Sequence, residues 1–341
     1  MAGMRYSIFS VQDHYPTRPR SVAQLYDELR AQCRLAEELG YDTFWVAEHH
    51  FHEYGVVPNP AVMLSALAMQ TSRIRLGSAI SILTFHNPLT VAESYAMVDL
   101  LSGGRLMLGV GSGYLKHEFE GYAIDGAEKR ERFDENLMLV RRLLAGERVT
   151  HAGKFHQLNA VALNVRPLQQ PTPPLYVAIL RSEAAYHVGR QGHNMLSVPY
   201  ASLNHWSELP PLVGEFTRGR AEAGSPPGDN DIVLTFHCHV GDSDAAVRQA
   251  AQAAFELYVE TRLYARRQSY DDVMASGLAL FGSVETVTDK LLELHAMGVK
   301  HVMLLQNFGL LAPAQIHRSM RLFAEQVMPR FRQRLGIAGA A

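Results

Sequence analysis

Apolar residues recur along the chain in two alternating rhythms. Tyr6 to Val11, Thr43 to Ala47, Ile74 to Leu83 and Leu106 to Val110 are short, nearly continuous runs. So are Leu175 to Leu180, Met195 to Val198, Ile232 to Val240 and His301 to Leu305. Runs of this length, rich in branched and aromatic residues, predict strands buried on both faces. Between them the spacing changes. Val22, Leu25, Tyr26, Leu29, Cys33 and Ala36 fall at offsets 0, 3, 4, 7, 11 and 14, one face of a helix. Ile316, Met320, Phe323 and Val327 form a similar stripe near the end. Three helical stretches reach a glycine, at Gly40, Gly192 and Gly298, and a buried run follows at once. Glycine there predicts a left-handed helix cap, and helix–glycine–strand is half of a parallel βα unit. Eight such strands alternating with helices predict an α/β fold, a closed (β/α)8 TIM barrel with insertions.

Two stretches break the alternation. Residues 146–174 hold Gly153 and several prolines, which predicts an insertion carrying a hairpin. Residues 257–280, with Arg262, Tyr264, Arg266, Arg267 and Tyr270, fall where a lid over an active site would lie. Neither resembles a separate domain, so 1–341 is expected to be one barrel, with a frayed tail from about Gly336.

Composition narrows the function. With 47% apolar residues and a formal charge of -2, the chain has a large core and no basic face. Nucleic acid and anionic membrane are therefore poor candidate partners. Cys33 and Cys238 give neither a disulfide framework nor metal-finger spacing. No signal peptide opens the sequence and no apolar run reaches membrane-spanning length, so a reducing, cytoplasmic setting is expected.

The chemistry concentrates where the second run ends, in Glu48-His49-His50-Phe51-His52-Glu53-Tyr54-Gly55. Titratable groups clustered at the end of a buried strand are costly to desolvate, which points to function. Other strand ends carry Ala79-Ile80, Gly109-Val110-Gly111-Ser112-Gly113-Tyr114, and Leu180-Arg181-Ser182. The glycines would let backbone approach a ligand closely. Tyr114 stands where a dinucleotide motif needs its third glycine, which excludes that kind of site. Arg181-Ser182, ahead of a helix, is a candidate phosphate site. Thr235, His237 and His239 share one strand face by alternation. His50 and His52 also resemble the His-x-His of metal-dependent barrel hydrolases, with His237 and His239 as further ligands. That motif belongs on a first strand, whereas Tyr6 to Val11 precedes it here, so a metal is not expected.

The segment from Glu48 to Gly55 resembles the Glu-His-His-Phe segment of the bacterial luciferase-like flavin monooxygenases. Leu76-Gly77-Ser78-Ala79, His86-Asn87-Pro88, Leu100-Leu101-Ser102-Gly103-Gly104-Arg105-Leu106 and Gly109 to Gly113 add to the likeness. So do Gly298-Val299, Arg318 to Phe323 and Val327-Met328-Pro329 near the end. The resemblance implies a barrel that takes reduced FMN from a separate NAD(P)H-dependent reductase. Oxygen then forms a flavin hydroperoxide that oxidises a small apolar, aromatic or carbonyl substrate. His49 would be the catalytic histidine, with Glu48 and His50 beside it. Ala79 and Ile80 would form a cis peptide under the flavin ring. Gly111, Ser112, Gly113 and Tyr114 would touch the flavin, and Leu180, Arg181 and Ser182 would hold its phosphate. Phe9, Trp45, Val198, Tyr200 and Thr235 are the expected substrate walls.

The chain departs from the luciferases themselves. Ser112 stands where they have an arginine, Val198 where they have a tryptophan and Leu180 where they have a glutamate. These departures argue against light emission. A deazaflavin-dependent hydride-transfer enzyme is the alternative within the same superfamily, and a flavin-binding protein without chemistry is a further one. Residues 60–72 and 89–102, rich in small and apolar side chains, match where the family dimerises and predict a homodimer.

Overall fold

Each strand predicted from the apolar runs is present, and the barrel closes. The computed structural model describes residues 3–53, 55–226, 231–262 and 267–337. Tyr54, Tyr264, Arg266 and residues 338–341 lie outside the described residues. The strands are β1 (Arg5–Ser10), β2 (Thr43–Val46), β3 (Arg75–Ile82), β4 (Leu106–Gly111), β5 (Val149–Ala152) and β6 (Gln157–Val161). They continue with β7 (Leu175–Ile179), β8 (Asn194–Ser197), β9 (Ile232–Gly241), β10 (Leu280–Ser283) and β11 (His301–Leu305). The sheet runs β11-β1-β2-β3-β4-β7-β8, and β9 pairs with both β8 and β11. These eight strands make a closed parallel barrel with helices outside.

The cap glycines do what the pattern requires. Gly40, Gly192 and Gly298 have φ of +78°, +77° and +89°. Only a residue without a Cβ adopts these values freely. The Leu100–Leu106 motif is explained in the same way. Gly103 and Gly104 turn the chain at φ +68° and +81°. Arg105 then donates to Thr71 Oγ1 at 3.0 Å and to the Ile74 carbonyl at 2.7 Å, fixing the start of β3.

Inside the barrel, Trp45 has no exposed surface and meets Tyr176 edge-on at 5.5 Å. Gly77 makes room for it: a Cβ there would stand 2.2 Å from the indole. Trp45, expected as a substrate wall, is thus part of the packed interior. At the base, Arg5 pairs with Asp231 at 2.5 Å, and Tyr176 donates to the same carboxylate.

Within residues 146–174, β5 and β6 form an antiparallel hairpin. Within 257–280, helix Asp244–Glu260 ends, and helix Tyr270–Ser276 follows a capping box made by Ser269 and Asp272. β10 then pairs with Cys238 to Gly241 on the outer half of β9, while Val233 to His237 pair with β11. The last apolar stripe spans helix Pro313–Leu322 and a π turn, Phe323–Val327. All four of its residues are buried.

Candidate active site

The site begins where β2 ends. The strand stops at Val46, so Glu48, His49 and His50 lie on a loop and strand alternation does not place them. All three are nevertheless buried. The segment after β4 turns at Gly113 (φ +72°) into helix Lys116–Gly121, which packs on this loop. Glu118, 1% exposed, takes His49 Nδ1 at 3.3 Å and the His50 backbone N–H at 3.0 Å. His117 Nε2 donates to the His50 carbonyl at 3.1 Å. Gly121 receives the Phe51 ring, which an added Cβ would meet at 2.4 Å. Gly55 does the same for His49, at 2.5 Å.

His50 turns the other way. Its Nε2 donates to Glu48 Oε1 at 2.9 Å, and the Tyr122 hydroxyl lies 3.1 Å from its Nδ1. His86 Nε2 donates to the same Glu48 oxygen at 2.6 Å, and the Ile82 N–H to Oε2 at 3.1 Å. Burial works against the Glu48 charge, but the bonds from His50 and His86 hold the carboxyl below its ordinary range. Burial likewise opposes protonation of His86, and the Glu48 contact outweighs it and raises His86. For His49 burial prevails over Glu118, and its pKa falls below the ordinary value. With Nδ1–H donating to Glu118, the neutral His49 ring carries its lone pair on Nε2. Such an imidazole can take up and return a proton near neutral pH.

The third strand meets this loop through Ile82. The peptide between Ala79 and Ile80 is cis, and the pairing of β3 with β4 shifts between Ser78 and Ser81. The glycines of β4 serve that irregularity first. A Cβ at Gly109 would stand 2.1 Å from the Ser78 carbonyl, and one at Gly111 would stand 2.2 Å from Ile80. They make room for β3, where the sequence suggests room for a ligand. Ser112 and Tyr114 are partly buried in the turn beyond, and the Ser112 carbonyl accepts from Thr84 at 2.9 Å.

Past β7, Leu180 and Arg181 are exposed and Ser182 partly so. The helix that follows, Ala184–Arg190, is capped by Glu183 without a side-chain bond, so Ser182 is not its N-cap. Lys129 lies close to Arg181. Its pKa is lowered, first by burial and then by the Arg181 charge. Neither cation has a carboxylate partner among the described residues. Two neighbouring unmatched cations beside a serine fit a bound phosphate.

On β9, Thr235 and His237 are buried. The His237 ring lies 4.5 Å from Tyr200, edge-on. Phe9 and Tyr200 are buried and Val198 is partly so. The histidines of the hydrolase alternative do not converge. Among the described residues, the ligand atoms that gather within 4.8 Å belong to Glu48, His50 and His86. His52 instead faces Glu53 and stacks obliquely near His117. His237 sits among aromatic rings and His239 feels Arg318.

Sequence reasoning missed Glu118, His86 as a Glu48 partner, and Lys129. Glu118 had one local signal, a carboxylate in the segment directly after the glycine-rich turn. Among the described residues, no helix is long and apolar enough to cross a membrane.

Comparison with known proteins agrees with this geometry. Residues 4–301 match the family model described as luciferase-like monooxygenase. The structure of monooxygenase RslO1 from Streptomyces bottropensis superposes with a TM-score of 0.89. It is 30% identical, and the match covers 96% of this chain and 100% of that one. The oxygenase component of the flavin-dependent trigonelline monooxygenase of Acinetobacter baylyi is 29% identical over 75% of this chain and 70% of its own. The oxygenating constituent of 3,6-diketocamphane monooxygenase of Pseudomonas putida, solved with FMN, shares the fold. Its TM-score is 0.83 at 18% identity, over 96% of this chain and 99% of that one. The chain belongs to the luciferase-like monooxygenase family, and it is an oxidoreductase of the flavin-dependent, (β/α)8 barrel type.

Proposed function

We propose that the chain uses reduced FMN and O2 to oxidise a small apolar, aromatic or carbonyl substrate. The observation that carries this reading is His49, buried, neutral and held by Glu118 on a loop tied to β3. Arg181, Ser182 and Lys129 would hold the FMN phosphate. Ala79-Ile80 and the Gly111–Tyr114 turn would flank its ring. When bound, reduced FMN supplies the two electrons that, with oxygen, give an oxidised product and water. His49 takes and returns the proton at Nε2. Glu118 fixes the tautomer. Glu48 and His50 hold the loop still, so that His49 needs no rearrangement when it acts.

The family's membership supports a separate NAD(P)H-dependent flavin reductase as partner, and two buried thiols, Cys33 and Cys238, suit a cytoplasmic setting. An anaerobic titration should show reduced FMN bound to the protein. Free reduced FMN reacts with oxygen by itself, so in air, with FMN, a reductase and NADH, the chain should change oxygen uptake and peroxide release relative to the same mixture without it. Binding of a deazaflavin in preference to FMN, with no change in either, would replace oxygenation by hydride transfer.

A homodimer belongs to the same reading. Helices Pro60–Ala68 and Pro88–Ser102 pack side by side and leave Val62, Met69, Met97 and Leu101 at 67%, 71%, 51% and 48% exposure. An apolar patch of this kind is what a second copy would cover. Light scattering should give twice the chain mass at micromolar concentration, and a monomer would refute it.

A further inference from the structure

The mechanism above makes no use of His237. The residue has no exposed surface, and neither ring nitrogen has a hydrogen-bond partner among the described residues. A buried polar group left unmatched costs roughly 1–3 kcal/mol, so one in a native site calls for a reason. The surroundings offer no compensation. Tyr200, Tyr258, Phe255 and Phe308 stand around the ring at 4.5, 4.7, 5.0 and 5.1 Å, all edge-on. Thr235, two residues back on the same strand face, also has a buried hydroxyl without a partner among the described residues. A core built only for packing would place phenylalanine and valine here.

A buried cation borders the same cluster. Arg262 is 4% exposed, and its guanidinium carbon lies 3.8 Å from the centre of the Tyr258 ring. Its charge acts against protonation of both His49 and His237, so the guanidinium lies within electrostatic reach of both histidines. Burial keeps His237 neutral, with one donor and one acceptor to offer.

We propose that His237, with Thr235 and Arg262, is the substrate-recognition site: it takes a flat conjugated ring bearing an ionisable oxygen, a phenolate or carboxylate. The ring matches the aromatic walls, the oxygen meets the imidazole N–H, and the guanidinium favours its negative charge. A plain hydrocarbon would leave both polar groups unmatched and is disfavoured for that reason. The proposal names the substrate class of the monooxygenase and rests on that reading.

The test compares 1-hydroxy-2-naphthoate with naphthalene as probes of the full chain, anaerobically, with and without reduced FMN. The wild-type protein should bind the acid roughly 10- to 100-fold more tightly, the worth of a charged hydrogen bond. His237→Phe keeps the aromatic volume and removes both nitrogens. It should erase most of that ratio, leave naphthalene binding in place and leave reduced-FMN binding unchanged. His237→Gln, which restores a donor and an acceptor, should recover part of the ratio. Arg262→Met should weaken the acid alone. Equal binding of the two probes, binding of neither, or a full ratio in His237→Phe overturns the proposal. Loss of FMN binding with the probe ratio intact would instead overturn the monooxygenase reading and leave the recognition site standing.

Discussion

The loop after β2 and the middle of β9 are both buried and opposite in character. In the first, each titratable side chain is answered by another: Glu48 by His50 and His86, and His49 by Glu118. In the second, Thr235 and His237 are answered by nothing among the described residues. Both arrangements cost free energy, in different currencies. The matched loop gives up conformational freedom to hold a histidine in one tautomer and position. The unmatched middle of β9 keeps desolvated groups waiting for a partner. Preorganisation suits a group that must act on a proton, and unmet hydrogen-bonding capacity suits one that must choose a ligand. On the proposed reading, the chemistry falls to the loop after β2 and the selection of substrate to β9.

The largest effect should come from breaking the matched side at its working atom. His49→Ala should still bind reduced FMN, because the residues proposed to hold its phosphate and ring lie elsewhere in the barrel. Product formed per NADH consumed should fall on the order of 100-fold or more, the contribution of a general acid–base residue. Oxygen should then be released as hydrogen peroxide. If His49→Ala is nearly silent while His50→Ala abolishes turnover, the roles assigned to the two histidines are reversed.

Glu118 tests whether the match itself matters. Glu118→Gln keeps the shape and loses the charge that raises His49. Turnover at neutral pH should fall on the order of 10-fold, as for the outer partners that orient metal-bound imidazoles. The pH profile gives the sign. If the neutral ring is the active form, activity is lost as pH falls through the His49 value. Without Glu118 that value drops further, so the acid limb should move to lower pH. A limb that stays put would mean that Glu118 only packs against the loop.

The barrel was legible because buried strands and capped helices are written locally, in apolar runs of four to ten residues and in Gly40, Gly192 and Gly298. β10 was not, since four residues that pair only with the outer half of β9 leave no periodicity of their own. His49 was legible by its company, and its partner was not. Glu118 comes from a segment 69 residues away, and its one local signal, a place just after the glycine-rich turn, does not say that folding will bury it against His49. The glycines of β4 have a structural role that their sequence does not reveal, because they admit Ser78 and Ile80 of the same barrel. Alternation puts His237 on one face of β9 with Thr235 and His239, but its lack of a hydrogen-bond partner among the described residues depends on Tyr200, Phe255, Tyr258 and Phe308, which come from other elements.

The smallest effect sharpens the comparison from the edge of the matched side. His86 is the partly exposed member of the Glu48 group, at 29% for its side chain. Its pKa is raised in the folded state, so its contribution to stability is complete below the ordinary value of 6.5 and is lost as pH rises through the raised value. Glu48 is depressed, so its contribution is complete above 4.5 and is lost as pH falls through the lowered value. The ion pair therefore stabilises most between about pH 4.5 and 6.5, the ordinary values of its two members. His86→Ala should cost about 1 kcal/mol within that window, the net worth of one such bond, and less at pH 8.5. Urea unfolding at pH 5.5, 7 and 8.5 measures it. The His50 bond to Glu48 remains in the variant, so turnover should fall by less than in Glu118→Gln. A cost that is the same at all three pH values would mean that His86 is neutral when folded. The match at Glu48 would then be one of shape and hydrogen bonding without charge, closer in kind to the stretch of β9 it is contrasted with.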